Sequence, residues 1–184
     1  MMDNIETNTD FRKIPIYRHS AEYAVKHNEI ELYRKSNQAS MACCKAIENA
    51  INNNYRNNSL DTKSASVQLG QKFGLERVSY ILANTIRVKN HDGRISAANK
   101  TWASSFPIAE DKSEWGDNRN GVLIVDRAHA GLVDLLTNQV REDLEQEKVS
   151  KERKPSVLEK IMKPAAGESS ALKSEKPGVR EETL

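Results

Sequence analysis

The chain has 184 residues, 38% hydrophobic and 29% charged, with a net charge of +2, enough apolar material for one modest core. No apolar run approaches the roughly 18 residues needed to span a membrane. The polar, acidic start from Met1 to Asp10 lacks the basic and apolar regions of a secretory signal, so the expected location is the cytoplasm. Nine Lys/Arg face six Asp/Glu from Lys148 onward, which leaves 19 basic and 20 acidic groups before it. That neutral balance argues against a generic phosphate-coating protein, though not against a local basic patch.

In chain order, residues 1–13 read as a flexible arm, and Pro15 holds Ile14 to Tyr17 extended. Ser20 is a suitable N-cap for a short helix, Ala21 to His27, with Asn28 as its stop. The longest helical pattern runs from about Glu29 to Asn53, where Leu32, Ser36, Ala39, Cys43, Ala46, Ile47 and Ala50 recur at steps of three and four. The asparagines at 52–54 and 57–58 then mark a loop. Asp61 or Thr62 can cap a helix to about Phe73, and Gly74 separates it from a helix over 75–88 with Leu75, Val78, Leu82 and Ile86 on one face. Asn90 to Gly93 is a turn signal, and Ser96 can cap a helix that Pro107 ends. Val122 to Val125 is the one clear β-type run, with Thr85 to Lys89 as its weak candidate partner. The last helix spans about Ala130 to Glu147.

The expected fold is therefore mainly α: a compact multi-helix single domain over 14–147 with at most one short two-stranded β element. A disordered basic tail follows at 148–184, with a possible short helix near 156–162. Cys43 and Cys44 are adjacent, which disfavours a mutual disulfide, and no second cysteine pair exists to build a zinc site.

Two polar clusters are candidates for chemistry. In the first, His19 is suited to proton transfer, Glu22 to acting as a base, and Tyr17 to assisting. Arg18 suits a bidentate phosphate contact, and Tyr17 and Tyr23 suit stacking on bases. Arg34, with Asn37 one turn on, can complete the same pocket. The alternative is structural: Ser20 capping, Tyr23 in the core, Arg18 paired with a carboxylate. In the second cluster Asp92 can raise the basicity of His91, Gly93 permits positive φ, and Arg94 and Lys100 can neutralise phosphates. Trp102 either stacks there or belongs to the core. Asn84 is either exposed or makes a specific hydrogen bond, and His27 reads as a cation at a helix C-terminus. Phosphate-binding Gly-rich loops, HExxH and Gly-x-Ser-x-Gly are absent, and the carboxylates are not clustered for two metals. Phosphodiester cleavage by this chain would thus be metal-independent acid–base work.

Several strings occur together in order: Tyr17-Arg18-His19-Ser20-Ala21-Glu22-Tyr23-Ala24, Glu76-Arg77-Val78-Ser79-Tyr80-Ile81-Leu82-Ala83-Asn84-Thr85, Asp92-Gly93-Arg94, Asn99-Lys100-x-Trp102-Ala103, Leu132-Val133-Asp134 and Lys154-Pro155-Ser156-Val157-Leu158. Over roughly residues 14–162 they resemble a family of uncharacterised domains from conjugative elements and plasmids of Firmicutes, which includes anti-CRISPR proteins acting on type II effectors. The resemblance implies a partner, the type II CRISPR effector nuclease with its guide RNA, and an action, promotion of guide-RNA cleavage or truncation. It implies no cofactor. A shortened guide would deprive the effector of its sequence specificity. The alternative is a non-enzymatic helical module that blocks the effector or another partner by binding.

Overall fold

The computed structural model describes residues 10–107, 121–123 and 129–153. The chain divides into two units, Met1–Lys148 and Val149–Leu184, and within the second the described residues, 149–153, are helical. The described part is mainly α, with one short antiparallel hairpin.

Local chemistry sets most boundaries. Helix α1 (Ala21–Lys26) starts where the Ser20 hydroxyl accepts from the Tyr23 amide. It ends with Asn28 at φ 57°, the Asn28 amide on the Val25 carbonyl, and the Glu29 amide on the Ala24 carbonyl at 2.7 Å. This is the pattern of a left-handed residue closing a helix. Helix α2 (Ile30–Asn54) buries Ser36, Ala39, Ser40, Cys43, Ile47, Ala50 and Ile51, and its small side chains let neighbouring helices approach closely. Leu32, expected on that stripe, is 49% exposed.

Where the sequence suggested only a loop, β1 (Tyr55–Arg56) pairs with β2 (Ser59–Leu60). Asn57 and Asn58 both have positive φ, at 52° and 60°, as a two-residue hairpin turn requires. Among the described residues, the β pairing expected of 122–125 with Thr85 to Lys89 is absent. Thr85 to Val88 is helical, Val122 and Leu123 are not in a strand, and 124–125 lie outside the described residues.

Asp61 caps α3 (Thr62–Phe73), accepting from the Ser64 amide and hydroxyl. Gly74, at φ 79°, makes the corner into α4 (Leu75–Val88). Ten consecutive α4 residues, Arg77 to Ile86, are buried, so this helix is the central element rather than an amphipathic one. Around it pack α2, α3 and α5 (Ala97–Ser105), with Val133, Leu136 and Val140 of α6 (Ala130–Arg153) in the same core. The polar side chains of α4 find distant partners: Thr85 Oγ1 accepts from the Leu123 amide at 3.0 Å, and Asn84 Nδ2 donates to the Gly121 carbonyl at 3.2 Å. Asn84 is thus buried, which settles its two readings in favour of a specific hydrogen bond.

The expected arm is partly ordered. Residues Phe11–Lys13 form a 3-10 turn capped by Asp10, and Phe11 stacks on Phe73 with ring centres 5.0 Å apart. An aromatic ring that can cover a core edge gains more from burial than a flexible arm would retain. Residues 1–9 and the proposed helix near 156–162 lie outside the described residues. Helix α6 extends to Arg153, past the expected end at Glu147. No helix among the described residues is long and apolar enough to cross a membrane.

Candidate functional site

The segment before α1 is strapped to the core by its main chain. The Tyr17 amide donates to Ser36 Oγ at 2.8 Å. The buried Arg77 guanidinium donates to the Ile14 carbonyl at 2.7 Å, and also to Ser36 O and Ser40 Oγ. These bonds fix where Tyr17, Arg18 and His19 emerge.

On this strap the rings form a column. Tyr17 meets Tyr33 and His19 edge-on, each at 5.7 Å between centres. His19 lies nearly flat on Tyr23, 4.2 Å away at 20°, and Tyr23 lies flat on His27, 3.8 Å away at 18°. His27 Nδ1 sits 2.9 Å from the Tyr23 carbonyl, bonding to the end of α1. His19, Tyr23 and His27 are all exposed. Ser20, Ala21, Glu22, Tyr23, Val25 and Lys26 line an open hollow of about 620 Å³ along α1.

The structure thus brings Tyr17, His19 and Tyr23 together, with Glu22 on the same helix, but it engages much of their chemistry. Tyr17 Oη donates to Glu29 Oε2 at 2.7 Å. Desolvation, and then this bond to Glu29, push the phenol up to about 12, which makes it a poor proton donor near neutrality. Arg18 donates to the Pro107 carbonyl at 2.7 Å and to Glu76 at 2.8 Å, tying the strap to the end of α5 and the start of α4. This is the structural alternative weighed for Arg18. Tyr23 has an imidazole on each face, so a base can reach its rim but not its faces. Arg34 is exposed and paired with Glu31 at 3.0 Å.

The second cluster is built separately, on the α4–α5 turn. Asp92 accepts from the Arg94 amide at 2.9 Å and from its guanidinium at 3.0 and 2.6 Å. Those side-chain and backbone bonds hold its carboxyl well below the usual range. The carboxylate therefore serves Arg94 rather than His91, which is exposed. Arg94 also lies 3.2 Å from His129 Nε2. Gly93 does not use the positive φ expected of it. Lys100 lines a small hollow of about 340 Å³ with Ile86, Arg87, Asn90 and Ser104. Arg87 there holds the carbonyls of Ala103, Ser104 and Phe106, closing the end of α5. Trp102 is half-buried against Phe106, with the Arg141 guanidinium 5.6 Å from its ring centre, and so belongs to the packing.

Sequence reasoning read His27 only as a helix-end cation and passed over Glu29 and the α5–α6 polar junction. There Asp134 Oδ1 accepts from the Ser96 amide, the Ser96 hydroxyl and Asn99 Nδ2, and Arg141 donates to Asn99 Oδ1 at 2.7 Å. The column carried part of a signal, since positions 23 and 27 are spaced by four and meet along a helix, whereas His19 lies before the Ser20 cap and joins from the strap. Among the described residues, no group of three or more His, Cys, Asp or Glu is placed to hold a metal ion.

Fold and surface together define a small helical domain with an exposed aromatic–imidazole face. The chain belongs to the family described as "Protein of unknown function (DUF3849)", whose model matches residues 16–145. No curated protein and no solved structure matches the chain.

Proposed function

We propose that the chain is a non-catalytic binding module that inhibits a type II RNA-guided effector by engaging its guide-loaded complex through the face formed by Tyr17, His19, Tyr23 and His27. The observation that carries the binding reading is the division of labour on this face. Tyr17 and Arg18 are committed to holding the strap in place, while the rings they position remain exposed. A rigid, preordered surface of this kind binds without a large ordering penalty. The choice of partner comes from the resemblance of the sequence motifs to the mobile-element family.

A second reading, guide-RNA truncation, is favoured by one observation. His19 and Glu22 are both exposed and three residues apart at the start of α1, within reach of one bound phosphodiester. The two readings separate when guide RNA is incubated with the chain, with and without effector, in EDTA, then run on a denaturing gel beside a target-DNA cleavage assay. Blocked target cutting with full-length guide supports the binding module. A discrete shorter guide selects truncation. Normal cutting with intact guide refutes both for the effector tested.

A further inference from the structure

We propose that the His19–Tyr23–His27 column takes up the unpaired bases of single-stranded RNA, a base adding to its open end on the outer face of the His27 imidazole. This rests on the reading of the same face as the chain's binding surface, and names the ligand chemistry.

The column already has the geometry of a base stack: two nearly parallel ring pairs with centres 4.2 and 3.8 Å apart. Its inner end is closed, because the Tyr17 ring meets His19 edge-on. Its outer end is open. His27 is exposed, and its ring contact and its side-chain hydrogen bond both go to Tyr23. The bond from Nδ1 to the Tyr23 carbonyl fixes the imidazole plane, so a base meets a prealigned platform rather than a free rotor. Stacking of this kind is sequence-tolerant, because every base has a π-face.

Net charge leaves stacking as the main source of affinity. The first 147 residues are near neutral, so affinity cannot come mainly from coating phosphates, which demands a basic excess. Lys26, next to His27 in the chain, lines the α1 hollow together with Glu22, so that hollow carries one cation and one carboxylate and no basic excess. A duplex buries its base faces except at its two ends, so the site favours unpaired strands, whose bases are all accessible.

The test uses the full chain and a short, fluorescently labelled single-stranded RNA of mixed sequence, read by anisotropy. Beside it run the same strand as a duplex and the same backbone with abasic sites. The single strand binds, and the duplex and abasic strands bind at least about tenfold more weakly, the loss expected from one stacked base. His27→Gln keeps a side chain able to bond the Tyr23 carbonyl but removes the ring, so it weakens binding by about tenfold with an unchanged circular dichroism spectrum. Tyr55→Ala, an exposed aromatic on the hairpin, leaves binding unchanged. Abasic RNA binding as tightly as native, full affinity in His27→Gln, or no binding of single-stranded RNA overturns the inference. If His27→Gln binds single-stranded RNA as tightly as the wild-type chain while the wild-type chain inhibits the effector, the functional proposal stands and this one falls. If base-dependent RNA binding is present without any effector inhibition, this one stands and the functional proposal falls. Undiminished binding to effector protein without guide assigns the face to a protein partner and overturns the RNA assignment.

Discussion

Replacing Arg77 tests how the strap under the candidate site is held. This side chain is 2% exposed, and its guanidinium donates to Ser36 O at 3.1 Å, Ser40 Oγ at 2.8 Å and Ile14 O at 2.7 Å. Burial pulls its pKa below the ordinary arginine value, a sign that desolvation of the cation offsets part of what the hydrogen bonds contribute. Arg77→Ala empties a large interior site and strips all three oxygens of a donor, so it destabilises by about 3–5 kcal/mol. Arg77→Met keeps most of the volume and removes the buried charge, so the loss falls to about 1–2 kcal/mol. Urea unfolding at fixed pH measures both, with equal slopes confirming that the unfolded states match. Because the Ile14 carbonyl loses its donor in either variant, the Tyr17 amide exchanges with solvent faster in both. A methionine variant as unstable as the alanine one would refute the argument, since the cation itself would then be indispensable.

Three further outcomes follow from individual contacts. Asp134→Ala removes the acceptor for the Ser96 amide, the Ser96 hydroxyl and Asn99 Nδ2; in this part-buried setting it destabilises by about 2–4 kcal/mol, seen as a melting temperature lower by roughly 5–12 °C. Ser79 Oγ is buried without a hydrogen-bond partner among the described residues, so Ser79→Ala stabilises by about 1 kcal/mol, and a lower melting temperature would contradict the burial. For Tyr17, the folded phenol stands near 12 against an ordinary value of 10. Its contribution to stability is therefore complete below pH 10 and lost as pH rises toward 12; the ultraviolet phenolate titration shows a late step that disappears in Tyr17→Phe.

The helix starts were legible because a cap is local chemistry: Ser20, Asp61 and Ser96 each accept from an amide three residues on. The all-round burial of α4 was not. Its sequence shows one apolar stripe, and the burial of Arg77, Asn84 and Thr85 depends on partners from the strap, α2 and residues 121–123 that no local spacing announces. The hairpin hid because Asn57-Asn58 reaches positive φ without the glycine that usually advertises such a turn. At the candidate site, the crowding of Tyr17 to Tyr23 was visible in the string itself. What each group was committed to was not, since Glu29, Glu76 and Pro107 arrive from elsewhere. His27 was legible only as a helix-end cation; its ring joined the column because a spacing of four places it over Tyr23.

The most direct test of the binding-module account titrates guide-loaded type II effector with the chain and with a variant carrying His19→Ala and His27→Gln, reading target-DNA cleavage and guide length together. The account predicts that the wild-type chain blocks cleavage with the guide left full-length, and that the variant, still folded, inhibits far more weakly. Inhibition of equal strength by both chains, or uninhibited cleavage at saturating wild-type chain, would contradict it.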